Sequence, residues 1–200
     1  MPRRLPKPEE ALAWPGLCVL LGLASLSVWV SGAQAGLAWH STTWAREPWV
    51  LWTASLVHLS GPHLLANLVA LVFLGGIGAL LQAGKTATLA LLVAWPLGTL
   101  ALAQWPQISA YSGMSGLLNA MVAVLWAHAA CHAAKPLSFI IFAALAIKLL
   151  GEHAWSQPIA FDPNWGFNVV YAAHLAGALA GALCGLAFEI AARAARKASP

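Results

Sequence analysis

The chain has 200 residues, of which 60% are hydrophobic and only 8% charged, and its mean hydropathy is +0.76. An ordinary soluble domain is excluded by that balance, and lipid is the expected solvent. The formal charge of +4 comes from ten Lys and Arg scattered at segment ends, with no basic stripe interleaved with aromatics, so nucleic acid is not an expected partner. Cys18, Cys131 and Cys184 all fall in apolar stretches and read as small buried hydrophobes without a disulfide framework. The tryptophans cluster near segment ends, and Trp39, Trp44, Trp49 and Trp52 crowd one connection, which is expected to lie in the membrane interface.

In chain order, apolar segments run over Trp14–Ser31, Leu56–Leu81, Thr86–Ala103, Ser115–Ala134, Leu137–Leu150 and Asn168–Ala192. The expected architecture is an all-α membrane protein with six transmembrane helices in residues 14–192, a cytoplasmic tail over 1–13 and a basic cytoplasmic tail over 193–200. With Arg3, Arg4 and Lys7 inside, Lys85, Lys135, Arg193, Arg196 and Lys197 fall on the same side, which places both termini in the cytoplasm. A secretory signal is the competing reading of the start: Arg3 and Arg4, an apolar run, then Ala33-Gln34-Ala35. The run is long for a signal core, and its removal would leave five spans with an exposed flank, so retention is expected.

Polar groups inside spans are costly and call for a reason. The second span opens with His58-Leu-Ser-Gly-Pro-His63-Leu-Leu-Ala-Asn67, in which the four-residue step puts His63 and Asn67 on one helical face. At the head of the fourth span stands Gly113-Met114-Ser115-Gly116. Flanking glycines permit a sharp turn, and a serine at a helix start has unpaired amide donors and the positive dipole end beside it. From Ser115 to the inner end of its span is only ~24 Å at the helical rise, so Ser115 is expected to sit below the outer surface in a protein-lined cavity. In the sixth span, His174, Gly177, Gly181 and Gly185 share one face, a small-residue stripe that permits close helix contact. Spans two, four and six all run from outside to inside and carry these groups near their beginnings. Nucleophile, imidazole base and side-chain donors thus meet at one depth, as acyl transfer requires.

These residues resemble the rhomboid family of intramembrane serine proteases over about Trp49 to Glu189. The ordered signature is His-x4-His-x3-Asn in the second span, Gly-x-Ser-Gly in the fourth, and Ala-His-x2-Gly-x3-Gly in the sixth. The resemblance implies Ser115 as nucleophile and His174 as its base, in a dyad lacking an acid, and none of the six carboxylates is placed within a span near the site. It further implies that His63, Asn67 and the Ser115 amide stabilise the oxyanion and that Gly113 belongs to the same turn. No metal or other cofactor is expected. Three departures stand out: Val50 where the family often has Arg, Ala79 where Glu commonly closes the second span, and Asn119 in place of the aromatic that packs on the catalytic histidine. With the short body, they resemble the compact rhombosortase branch, thought to process proteins with Gly-rich C-terminal membrane tails. Expected partners are therefore transmembrane or C-terminally membrane-anchored proteins and the lipid bilayer. A bacterial cytoplasmic membrane is the expected setting, with the site toward the periplasm. Access for substrate between spans two and five, the latter short and bearing Lys148, is implied by resemblance alone.

Blander readings stand beside these. Ser115 alone would more often be a helix cap, the His63/Asn67 pair interhelical glue, and His174 a buried structural histidine. His58 reads as structural beneath the tryptophan-rich loop. His128, Cys131 and His132 suggest a metal set but lack an evident fourth ligand. Asp162 lies twelve residues before His174 and reads as a solvated loop carboxylate. A pseudoprotease that binds transmembrane helices without cutting is kept open by Asn119; a transporter has little to couple ions with, given no intramembrane acid or inverted repeat.

Overall fold

The computed structural model of the protein describes residues 12–133 and 135–198. Six helices form its body: α1 (Ala13–Ser31), α2 (Gly61–Leu80), α3 (Lys85–Leu100), α4 (Ser115–His132), α5 (Lys135–Glu152) and α6 (Tyr171–Ala198). Four of these segments, Ala13–Ser31, Gly61–Leu80, Lys85–Gln104 and Tyr171–Ala198, are long and apolar enough to cross a membrane. The tail expected over 1–13 and its basic residues lie outside the described residues, apart from Leu12 and Ala13. The expected inner tail is instead helical through Ala198, a continuation of α6.

Helix boundaries follow local chemistry. α1 ends where Gly32 turns left-handed at φ 67°. The expected second span loses its first turn, because Leu56 closes a short 3-10 segment and Ser60 caps α2, accepting a hydrogen bond from the His63 amide with Pro62 in the first turn. His63 and Asn67 thereby fall in the opening turns of α2. At the sixth span, the expected start at Asn168 is overridden by a β-hairpin, β3 (Ala160–Asp162) and β4 (Phe167–Val169), and α6 begins only at Tyr171.

Packing separates a central helix from its surroundings. Twelve of the eighteen residues of α4 are buried, so it meets protein rather than lipid on most sides and can carry Asn119 and His128 among them. α1 buries one stripe, Trp14, Cys18, Leu21 and Ser25, and turns Val19, Leu20, Leu23 and Val30 outward. α5 buries only Ser138 and is the most peripheral of the six.

The tightest seam is α4 against α6. A methyl group on Gly181 would meet the backbone carbonyl of Ala120, and one on Gly177 that of Gly116. Lipid chains are as apolar as leucine, so this contact is held by close van der Waals fit and not by expulsion of water. Outside the bundle, Trp39 and His40 form β1, which pairs antiparallel with β2 (Ala110–Tyr111) immediately before the Ser115 turn. Trp39 is fully buried among Val50, Ala54, Leu102, Ile108 and Tyr111. The tryptophan-rich connection is accordingly a packed cap with one core tryptophan, while Trp49 and Trp52 stay exposed.

Gly181→Leu forces four heavy atoms into a seam already at backbone contact. Thermal unfolding in detergent is expected to show a loss on the order of 1–3 kcal/mol or more, and an unchanged Tm would mean that the α4–α6 seam is not tight.

Candidate active site

Ser115 is the first residue of α4 and His174 lies in the first turn of α6, so the seam that fixes the two helices also fixes these side chains. Ser115 Oγ stands 2.9 Å from His174 Nε2. The other ring nitrogen, Nδ1, is 2.9 Å from Glu152 Oε2, and Lys148 Nζ lies 3.2 Å from the same nitrogen while pairing with Glu152 Oε1. Beside the expected pair, a carboxylate at the C-terminal end of α5 reaches the imidazole. The last turn of α5 carries it past the expected span end at Leu150. An outward-running fifth span ends at the depth where spans two, four and six begin, and that is the sequence signal that could have found Glu152.

Proton counting shows what the carboxylate does. A neutral imidazole carries one N–H. With Nδ1–H donated to Glu152, Nε2 presents its lone pair to the Ser115 hydroxyl. If Nδ1 instead accepted from Lys148, the proton would sit on Nε2 and the ring could not act as a base toward Ser115. Glu152 thus selects the tautomer in which the serine proton can be taken, and Lys148 balances its charge.

The turn before Ser115 is held on three sides. Gly113 adopts φ 116°, its amide donates to Ala54 O at 2.9 Å, and its carbonyl accepts from the Tyr111 hydroxyl at 2.7 Å. Burial pushes the Tyr111 phenol up from its ordinary value, so it remains a donor. Inside the first turn, Asn119 Nδ2 donates to Ser115 O at 2.8 Å. The aromatic neighbour missing at Asn119 is supplied from the other helix: the Tyr171 ring sits edge-on to His174 with centroids 5.8 Å apart.

His63 and Asn67 face the same hollow, a cavity of about 900 Å³ that Ser115, His174 and Glu152 also line. Among the described residues, Asn67 Nδ2 and His63 Nδ1 are buried without a hydrogen-bond partner. A methyl on Gly113 would come within 2.7 Å of His63 Cε1, so glycine is required there both for its backbone conformation and for room. Above His63 lie Phe167 and Trp165 of the β3–β4 hairpin, with centroids 5.1 and 5.8 Å away. His58 packs edge-on against His63 at 5.1 Å, with Nδ1 3.2 Å from Leu56 O; burial lowers its pKa below the ordinary imidazole value. Asp162 is bonded to the Asn164 amide in the hairpin turn, as the solvated-loop reading has it, and the carboxylate on His174 is Glu152.

Donor atoms that converge closely enough to share a metal ion lie at the far end of α4. They belong to His128, His132 and Glu189, all within 4.8 Å of one another; Glu189 of α6 takes the place expected of Cys131.

The bundle thus brings serine, imidazole and carboxylate into contact beside the unpartnered Asn67 amide and His63 ring nitrogen. The chain belongs to the rhomboid family: the Rhomboid domain matches residues 45–189. Members of that family are typically intramembrane serine proteases, and the chain is an integral membrane protein. A comparison with curated proteins returned no match.

Gly113→Ala should keep the bundle but displace the His63 ring or the turn. Labelling of Ser115 by a fluorophosphonate is expected to fall at least about tenfold, on the order of the 1–3 kcal/mol that strained backbone costs; labelling at the wild-type rate would show that the turn tolerates a side chain.

Proposed function

We propose that the protein is an intramembrane serine endopeptidase that cleaves transmembrane segments of membrane-anchored substrates near the outer face, with Ser115 as nucleophile and His174 as base. The observation that carries this reading is the chain of contacts Ser115 Oγ–His174 Nε2 and His174 Nδ1–Glu152 Oε2, each 2.9 Å, set beside unpaired buried donors. In this reading all six helices span the bilayer, the termini face the cytoplasm and the site opens toward the periplasm of a bacterial inner membrane. α4 and α5 lack the uniform apolarity of the other four because α4 is enclosed and α5 ends in catalytic and basic groups.

His174 Nε2 accepts the Ser115 proton as Oγ attacks the scissile carbonyl carbon. Asn67 Nδ2, the His63 ring and the free amides at the start of α4 receive the negative charge that forms on the carbonyl oxygen. Collapse of the tetrahedral species breaks the C–N bond, and His174 returns the proton to the departing amine. Water then attacks the acyl-enzyme, losing its proton to His174; release of the carboxylic acid restores the Ser115 hydroxyl. Through all four transfers Glu152 holds Nδ1–H and offsets the charge of the transient imidazolium.

Substrate would approach between α2 and α5, where Ala66, Ala70 and Phe73 face Ala144 and Leu145 across the cavity. Those walls are apolar, with alanine at three of the five positions, which suits a helix with little side-chain bulk. Gly-rich C-terminal membrane tails fit this description, since glycine also lowers the cost of unwinding the helix to expose a peptide bond. Asn119 braces the Ser115 carbonyl while His174 stays within reach of the hydroxyl, which supports the cleaving reading over the binding one.

Two measurements test the assignment. Ser115→Ala is expected to eliminate both fluorophosphonate labelling and cleavage of a Gly-rich transmembrane substrate while leaving Tm unchanged. Persistent failure of the wild type to label or cut, with substrate helices co-purifying, would establish the binding protein instead. Glu152→Gln offers an amide N–H to Nδ1 and favours the unproductive tautomer, so kcat should drop by about 10²–10⁴-fold with little change in KM; equal kcat would remove Glu152 from the mechanism while leaving Ser115 and His174 in place.

A further inference from the structure

At the opposite end of the α4–α6 seam, about 25 Å from Ser115 at the helical rise, a second group of polar side chains is buried where the proposed reaction has no use for it. His128 and His132 sit one turn apart on α4, and Glu189 projects from α6 between them. Glu189 is 2% exposed. Its two oxygens meet His128 Nδ1 at 2.7 Å and His132 Nε2 at 2.6 Å. Among the described residues no Lys or Arg is paired with it; Arg193 is directed to the Cys131 carbonyl.

The hydrogen inventory of this group does not close with neutral rings. His128 Nε2 lies 3.2 Å from Leu81 O, an acceptor with nothing to donate, while His128 Nδ1 faces a carboxylate oxygen. One N–H cannot serve both. Donation to Leu81 leaves two lone pairs opposed at 2.7 Å unless the ring carries a second proton or a cation lies between the two atoms. A second proton on His128 would put an imidazolium 4.6 Å, centroid to centroid, from the His132 ring. A divalent cation resolves the conflict differently. It is held by His128 Nδ1, His132 Nε2 and Glu189, with the backbone carbonyl of Leu81 fixing the ligating tautomer from behind, as second-sphere acceptors do for metal-bound histidines.

We infer that His128, His132 and Glu189 form a site for a divalent transition-metal ion of the zinc class, which clamps the inner ends of the helices that carry Ser115 and His174. Two nitrogens and one carboxylate oxygen, with the histidines at i and i+4 on one helix, suit such an ion in tetrahedral geometry with water as fourth ligand. Ala129 stands where a zinc peptidase helix carries its glutamate base beside the first histidine, so no carboxylate next to His128 is placed to activate that water. Cys131, also in the last turn of α4, is outside the ligand set.

The test uses the full-length protein purified through a histidine-free tag, stripped with EDTA in detergent and titrated with Zn²⁺ and Co²⁺. One equivalent should bind per chain, Co²⁺ should give the visible absorption of a tetrahedral site, and Zn²⁺ should raise Tm. Glu189→Gln and His132→Ala should each weaken binding more than about 100-fold, beyond the effect of losing a second-sphere partner, while Cys131→Ser binds as the wild type does. Absence of saturable one-to-one binding to the wild type overturns the proposal, and so does equal affinity in the His132→Ala protein. His132 is partly exposed at a helix end, so its removal leaves a protein that can be assayed even where the buried Glu189→Gln does not fold.

Discussion

Everything around Ser115 depends on two helix backbones being allowed to touch. α6 presents Gly177 and Gly181 to Gly116 and Ala120 of α4, and at that separation the Ser115 hydroxyl and the His174 ring fall within one hydrogen bond of each other. A single side chain larger than hydrogen in the stripe would move the helices apart by more than a hydrogen bond can follow. Membrane helices gain nothing from burying leucine against leucine, so a seam of this kind is a means of obtaining contact energy and placement together.

Charge at depth is handled by local neutrality. Glu152 is paired with Lys148 on its own helix and with His174 across the site, so no isolated carboxylate enters a low-dielectric region. The same rule shapes the turn before Ser115, where both Gly113 backbone groups have a partner: the amide on Ala54, the carbonyl on the Tyr111 hydroxyl. Asn67 Nδ2 and His63 Nδ1 depart from it, and an uncompensated donor in a hollow is what a forming oxyanion would use.

Much of this arrangement was legible in the sequence because polar residues in an apolar chain are rare and their depth follows from topology. Ser115, His174, His63 and Asn67 all stand near the start of outward-opening segments, and the structure gathers them around one cavity. Glu152 is harder to place because it lies past the apolar stretch of the fifth segment, where composition does not separate a helix's last half-turn from a loop; α5 continues through it. Tyr171, the aromatic beside His174 where Asn119 offers none, is three residues from it on α6, a spacing that becomes meaningful only once the helix is known to begin at Tyr171. Trp39 was misplaced for a related reason: a tryptophan at a segment end suits the headgroup layer, but pairing of β1 with β2 draws this one into a packed cap. Short strands of two or three residues leave almost no pattern to read.

The carboxylate that orients His174 is carried by the helix with the least buried surface. Any tilt of α5 that widens its gap from α2 also withdraws Glu152 and Lys148 together, leaving the imidazole free to take either tautomer. On the proposed reading, opening and reactivity would exclude one another: a peptide admitted by an outward swing of α5 would meet a His174 without its carboxylate until the helix returned.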